Sequence, residues 1–243
     1  MNLNASLKSV AITAIFTALA GCASVSDYSH SGLGRAAGQQ AELSAKDQAR
    51  VCRETGLGLA ASERDAHAVA QLKKARELDP QIRGLAHPLA VLYDRQGQFG
   101  LAEQEYRRAM AEQTPNANLL NDFAYFRYTQ GRHDEARMLL NRALKQNPEH
   151  DQAAINLAMV NAAEGDFEAA FRLFEDSVGV AAAHQNIGLL LLRSGRESDA
   201  VTHLENARSL DPSLQAARSA LTQVSQSAST EILPASHSTS GIK

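Results

Sequence analysis

Two cysteines, Cys22 and Cys52, are all this 243-residue chain contains, and it has no tryptophan. Two thiols cannot build a disulfide framework, so the fold must be held by packing. No cluster of Lys and Arg rises above the ordinary solvated face of a helix, and the formal net charge is −3. That balance argues against a nucleic-acid partner. No apolar run reaches the roughly 20 residues that a membrane-crossing helix needs. The eight histidines are scattered, with no two at i, i+4. There is no zinc-ligand spacing, no nucleophile elbow and no Walker loop. Neither catalysis nor a metal centre is expected, and no cofactor is expected.

What is present begins with a short apolar segment. Lys8 and the amino terminus precede the run Val10–Ala20, which is eleven residues long and ends in Leu19-Ala20-Gly21-Cys22. The segment has the layout of an export signal, residues 1–21. The tetrapeptide resembles a bacterial lipobox, which implies acylation of Cys22 as the first mature residue. Ala23, in place of the Asp that retains such proteins at the inner membrane, implies a periplasm-facing outer-membrane location. Several acyl chains anchor firmly, at about 0.8 kcal/mol per buried methylene. The membrane is therefore expected to be met by this lipid only. Cys52 is then left without a disulfide partner and is expected as a small buried apolar residue. Residues 22–44 are rich in Ser, Gly and Ala and are expected to form a flexible tether.

The rest of the chain is periodic. Gly97 and Gly131 lie thirty-four positions apart, and the same interval separates Ala90 from Ala124, Ala102 from Ala136, and Ala109 from Ala143. With Arg83 as position 1, the Gly falls at position 15, between two helical patterns. Ala at positions 8 and 20 allows the two helices to approach, and larger residues there would overpack the seam. Leu89, Tyr93, Phe99 and Tyr106, then Leu120, Phe123, Leu140 and Leu144, are expected to fill the rest of it. Asn147-Pro148 ends the second helix, because the residue before Pro is pushed out of helical geometry. Upstream the same register places Glu63 where the turn Gly would be. Downstream Gly165 keeps the period, but Gly195 arrives four positions early. The four missing residues are placed near Ser177–Val180, shortening the second helix of that unit by a turn.

This period, with its Gly and Ala offsets, resembles the tetratricopeptide repeat. The resemblance implies an all-α fold, a right-handed superhelix (an α-solenoid) within 45–226. Its expected repeats are 49–82, 83–116, 117–150, 151–180 and 181–214, with a capping helix over 213–226. The residues 227–243 are expected to be a disordered tail. In such folds positions 2, 5, 9, 12 and 13 of each first helix line a concave groove. Mapped here they give His87, Asp94 and Arg95, then Asn118, Asn121, Tyr125 and Tyr128, then Met159, then Gln185 and Arg193. Paired Asn and Tyr suit an extended peptide, since amides bond main chain and Tyr joins apolar area to a polar tip. Asn156 and Asn186 are expected to serve structure.

The signal and the lines from Phe123-Ala124-Tyr125 to Pro148 and from Ala183-His184-Gln185-Asn186 to Pro212 resemble pilus-assembly lipoproteins of tight-adherence (Flp-type) systems. That resemblance implies a membrane-tethered scaffold gathering protein subunits of an envelope complex, a pilus or a secretin. An adaptor for cell-wall hydrolases is the alternative.

Overall fold

The computed structural model describes residues 43–112 and 114–231. The expected export signal, Cys22 and the expected tether as far as Glu42 lie outside the described residues, as do residues 232–243. Among the described residues there are eleven helices and no strand. Ten of them form five hairpins: α1 (Ala45–Ala61) with α2 (Asp65–Leu78), α3 (Ala86–Arg95) with α4 (Phe99–Glu112), α5 (Ala117–Thr129) with α6 (His133–Gln146), α7 (Asp151–Ala163) with α8 (Phe167–Val178), and α9 (Val180–Arg193) with α10 (Glu197–Leu210). The last helix, α11 (Gln215–Glu231), packs on α9 and α10.

Each hairpin turns in the same way. Gly131 takes φ +71°, its N–H bonds the Tyr128 carbonyl at 2.9 Å, and the Arg132 N–H bonds the Arg127 carbonyl at 2.9 Å. This pair of bonds satisfies carbonyls that the end of α5 would otherwise leave orphaned. In the first hairpin Glu63 adopts the same conformation, φ +57°, with the same two bonds from Glu63 to Ala60 and from Arg64 to Leu59. A Cβ in this region costs about 1–2 kcal/mol, partly offset by the extra unfolded-state freedom of Gly. Glu63→Gly is therefore expected to stabilise the protein by about 0.5–1 kcal/mol, read as a raised urea midpoint. An unchanged midpoint would mean that Glu63 carries no strain.

Three of the turns that follow hairpins rely on Pro. Asp79, Asn147 and Asp211 are extended at φ −136°, −137° and −142°, each directly before a Pro that forbids the helical conformation. Helix starts are capped by side chains. Ser44 Oγ accepts the Asp47 N–H, Asn116 Oδ1 the Leu119 N–H, and Asp166 Oδ1 the Ala169 N–H.

The seam inside each hairpin follows the small-residue register. Ala68, Ala102, Ala136, Ala170 and Ala200 recur at position 20 and are fully buried. Leu72, Tyr106, Leu140, Phe174 and Leu204 fill the seam four residues later, all buried. Facing them are Ala90, Ala124 and Ala158 in the middle hairpins, but Gly56 and Gly188 in the first and last. A Cβ on Gly188 would stand 2.6 Å from Leu204 Cγ and 3.2 Å from the Ala200 carbonyl oxygen. The outer hairpins thus close more tightly than Ala would allow. Cys52 is buried in the first part of this core.

Three expectations are corrected. The deletion in the fourth unit is shared: α8 has 12 residues against 14 in α6, and Gly179 alone joins α8 to α9. With φ +82° and ψ 161°, Gly179 turns the chain in one residue, so most of the loss comes out of the linker and less than a turn from the helix. Phe99 does not fill the seam; as the first residue of α4 it is 47% exposed. Helix α11 runs to Glu231, five residues into the expected tail. No Gly or Pro interrupts it, and Ser225 and Ser227 hydroxyls bond back to the Thr222 and Gln223 carbonyls.

Candidate partner-binding groove

The first helices of the hairpins carry the candidate groove residues, and the structure divides those residues into groups. Asp94, Arg95, Asn121 and Tyr125 line one cavity of about 370 Å³ between α3, α5 and α7, with Tyr106, Asp122, Gln152 and Asn156. His87 and Arg95 border a neighbouring space of about 380 Å³ between α1 and α3, beside Leu57 and Pro88. Met159 and Arg193 line a third, about 530 Å³, with Ile155, Leu189, Phe174 and Ala220.

A chain of polar side chains crosses the first cavity from helix to helix. His87 Nε2 lies 2.7 Å from Asp122 Oδ2. Asn121 Nδ2 donates to Asp122 Oδ1 at 3.2 Å, and Asn156 Nδ2 donates to Asn121 Oδ1 at 2.8 Å. Gln152 Nε2 closes the series on Asn156 Oδ1 at 3.2 Å. Asn121 and Asn156 are buried, and burial requires such partners. The Asn156–Asn121 bond therefore ties α7 to α5, the His87–Asp122 contact ties α3 to α5, and each amide keeps one N–H beyond these bonds. Tyr125, 42% exposed, is the open aromatic surface at this site.

Charged and neutral groups meet at this floor, with Asp94, Arg95 and Asp122 beside Tyr106. Burial raises the Asp94 carboxyl above the usual carboxylate range. Burial also raises the Tyr106 phenol strongly, assisted by the nearby Asp122 and Asp94 charges and opposed by Arg95. Tyr106 is thus a neutral hydroxyl-bearing ring at all working pH values. Arg95 reaches Asp65 at 3.5 Å and remains exposed at the rim.

The other sequence-selected residues have structural partners. Asn118 Oδ1 stands 2.9 Å from His150 Nε2, and His150 Nδ1 accepts the Ala153 N–H at the start of α7. Gln185 Oε1 accepts the Ala217 N–H at 3.2 Å, capping α11. Tyr128 is half-buried against the core, its ring 5.6 Å from His133 and 6.2 Å from Tyr125. Asp122 and Gln152 were missed by sequence reasoning. Asp122 had a signal, since it stands one full repeat before Asn156, in the register where Asn156 and Asn186 hold the amides.

A family model described as tetratricopeptide repeat matches residues 87–141, and a second of the same description matches residues 116–181. The hairpins within residues 87–181 are tetratricopeptide repeats. The chain is similar to type IV pilus assembly protein PilF of Pseudomonas aeruginosa, 32% identical over 146 residues. That match covers 56% of this chain and 58% of PilF, less than two thirds of the relative's length. The solved structure of P. aeruginosa PilF superposes with a TM-score of 0.55 at 23% identity, over 79% of this chain and 95% of that one. PilW, described as a widely conserved type IV pilus biogenesis factor, gives 0.58 at 16% identity, over 76% and 95%. At those identities the two structures speak for the tetratricopeptide fold alone. That fold is in general a protein-interaction scaffold.

Proposed function

We propose that this protein is a lipid-anchored adaptor that gathers protein subunits of a pilus assembly machine in the bacterial envelope, along the concave wall of its tetratricopeptide repeats. The observation that carries this reading is the 32% identity to PilF over 146 residues. The likeness to Flp-type pilus lipoproteins along Phe123–Pro148 and Ala183–Pro212 points to the same class of machine, with a secretin or pilin subunit as cargo. The groove supports it chemically. The amide chain from His87 to Gln152 offers hydrogen bonds for an extended main chain, and the cavity lined by Ile155, Met159, Leu189 and Phe174 accepts a large apolar side chain. Arg193 at that cavity favours an acidic neighbour in the bound segment. Acylated Cys22 would hold the adaptor at the outer membrane, facing the periplasm.

The test is capture from detergent-solubilised membranes with the full-length protein, followed by mass spectrometry. Wild type is expected to retain pilus or secretin subunits. Tyr125→Ala with Arg193→Ala is expected to retain at least about tenfold less, as loss of anchor residues does at other interfaces. Both side chains lie at the surface of the groove, so the fold should survive, as circular dichroism will verify. Equal capture by the folded variant would remove the groove from the account. Recovery of cell-wall hydrolases without pilus subunits would replace the machine. Cys22→Ser is expected to take up no labelled fatty acid, and uptake by that variant would remove the anchor.

A further inference from the structure

His184 and His203 are distant in sequence and meet in the fifth hairpin. His184 lies on α9, eleven residues before the turn Gly, and His203 lies on α10, eight residues after it. The same two positions hold Leu120 and Leu139 in the third hairpin and Ala154 and Leu173 in the fourth. The first and second hairpins hold Cys52 with Gln71 and Ala86 with Glu105 there, so no other hairpin places an imidazole at either position. In the fifth hairpin the two Nδ1 atoms face each other at 3.0 Å, with ring centroids 5.0 Å apart. The edge of Phe171, from α8, braces both rings at centroid distances of 4.8 and 6.1 Å.

We propose that His184 and His203 form a two-nitrogen chelating site for a divalent transition metal of tetragonal preference, copper(II) or nickel(II). Two nitrogens each about 2.0–2.1 Å from a metal stand about 2.9 Å apart at a right angle and about 3.3 Å apart at the tetrahedral angle. The observed 3.0 Å is nearer the first, the tetragonal arrangement. With both rings neutral, a 3.0 Å contact between the two Nδ1 atoms requires one proton between them. On chelation it transfers through solvent to the Nε2 of its own ring, so both rings stay neutral and no net proton is released. Burial lowers the proton affinity of both rings, His184 first by desolvation and His203 by desolvation and by its neighbour. Glu175 on α8 acts on His184, and Asp199 on α10 acts on His203; both carboxylates favour a bound cation. Among the described residues no group of three or more His, Cys, Asp or Glu is placed to hold a metal. Solvent would therefore complete the coordination at this pair.

The repeat supplies its own control. His184→Ala with His203→Leu installs the residues of the fourth hairpin, so the double variant should fold. Full-length wild type in detergent is titrated with copper(II) and, separately, with nickel(II) and zinc(II). One copper per chain is expected, with hyperfine splitting from two imidazole nitrogens in electron paramagnetic resonance and a rise in melting temperature at saturation. The double variant is expected to lose the nitrogen signature and the thermal shift, and to bind copper at least about tenfold more weakly. Nickel should raise the melting temperature more than zinc. A two-nitrogen signal that survives in the variant, an absent signal in wild type, or zinc outcompeting nickel would each overturn the proposal.

Discussion

Tyr106→Ala is expected to lower the unfolding free energy by about 3–5 kcal/mol, the range for deleting a buried aromatic side chain. Tyr106 is 1% exposed and is the largest fully buried side chain among the described residues. Its ring stacks on Phe123 at 4.9 Å and leans on Phe126 at 5.4 Å, so it joins α4 to α5 across the boundary between the second and third hairpins. In a stack of repeats, stability is the sum of each unit and its interfaces with neighbours. The loss should therefore appear as faster hydrogen exchange over α3–α6, with α9–α11 little changed. Tyr106→Phe is the comparison. It keeps the stack and removes only the hydroxyl at the cavity floor, and should cost under about 1 kcal/mol. A Tyr106→Ala loss below about 1 kcal/mol would show that the aromatic cluster does not hold the hairpins together.

The repeat was legible because its signals are local. A Gly must occupy a left-handed turn, an Ala must let two helices close, and a Pro must end a helix, so each leaves a mark at a fixed offset. Even the exception obeyed the register, since Glu63 takes the conformation that Gly takes elsewhere. Partnerships between helices were not legible. Asn121 lines the groove cavity, but that it does so from a buried position, bonded to Asn156 on the next hairpin, leaves no mark in its own helix. Asn118 and Gln185 share the groove register yet cap helices α7 and α11, through His150 and directly. The two histidines of the fifth hairpin look unrelated until α9 and α10 fold together. Phe99 looks like core, but a residue at a helix start has neighbours on one side only. Arg127 was the least legible: nothing in a helix face containing Phe123 and Phe126 announces that the cation between them is buried.

That cation sets the second large effect. Arg127 is 3% exposed, and its guanidinium lies 4.4 Å from the Phe123 ring centroid, where the ring face attracts it. Nη2 donates to Glu103 Oε1 at 3.0 Å, while Nη1 has no hydrogen-bond partner. Glu103 also accepts from Arg107 and Arg132. The hydrogen bond from Arg127, then that from Arg107, hold the Glu103 carboxyl at about 2, well below its ordinary range. Removing one partner of a buried pair costs about 3–5 kcal/mol. Glu103 is 28% exposed and Arg127 retains Glu135 at 3.3 Å, so Glu103→Gln is expected to cost about 2 kcal/mol at pH 7. The pH dependence follows from the depressed value. A carboxylate held low in the folded state contributes stability above its unfolded pKa and loses it as pH falls through the folded one. The gap between wild type and Glu103→Gln, measured by urea unfolding, should be constant above about pH 5 and close progressively toward pH 2. A gap that persisted undiminished at pH 2 would mean that the glutamate acts through packing and not through its charge on Arg127.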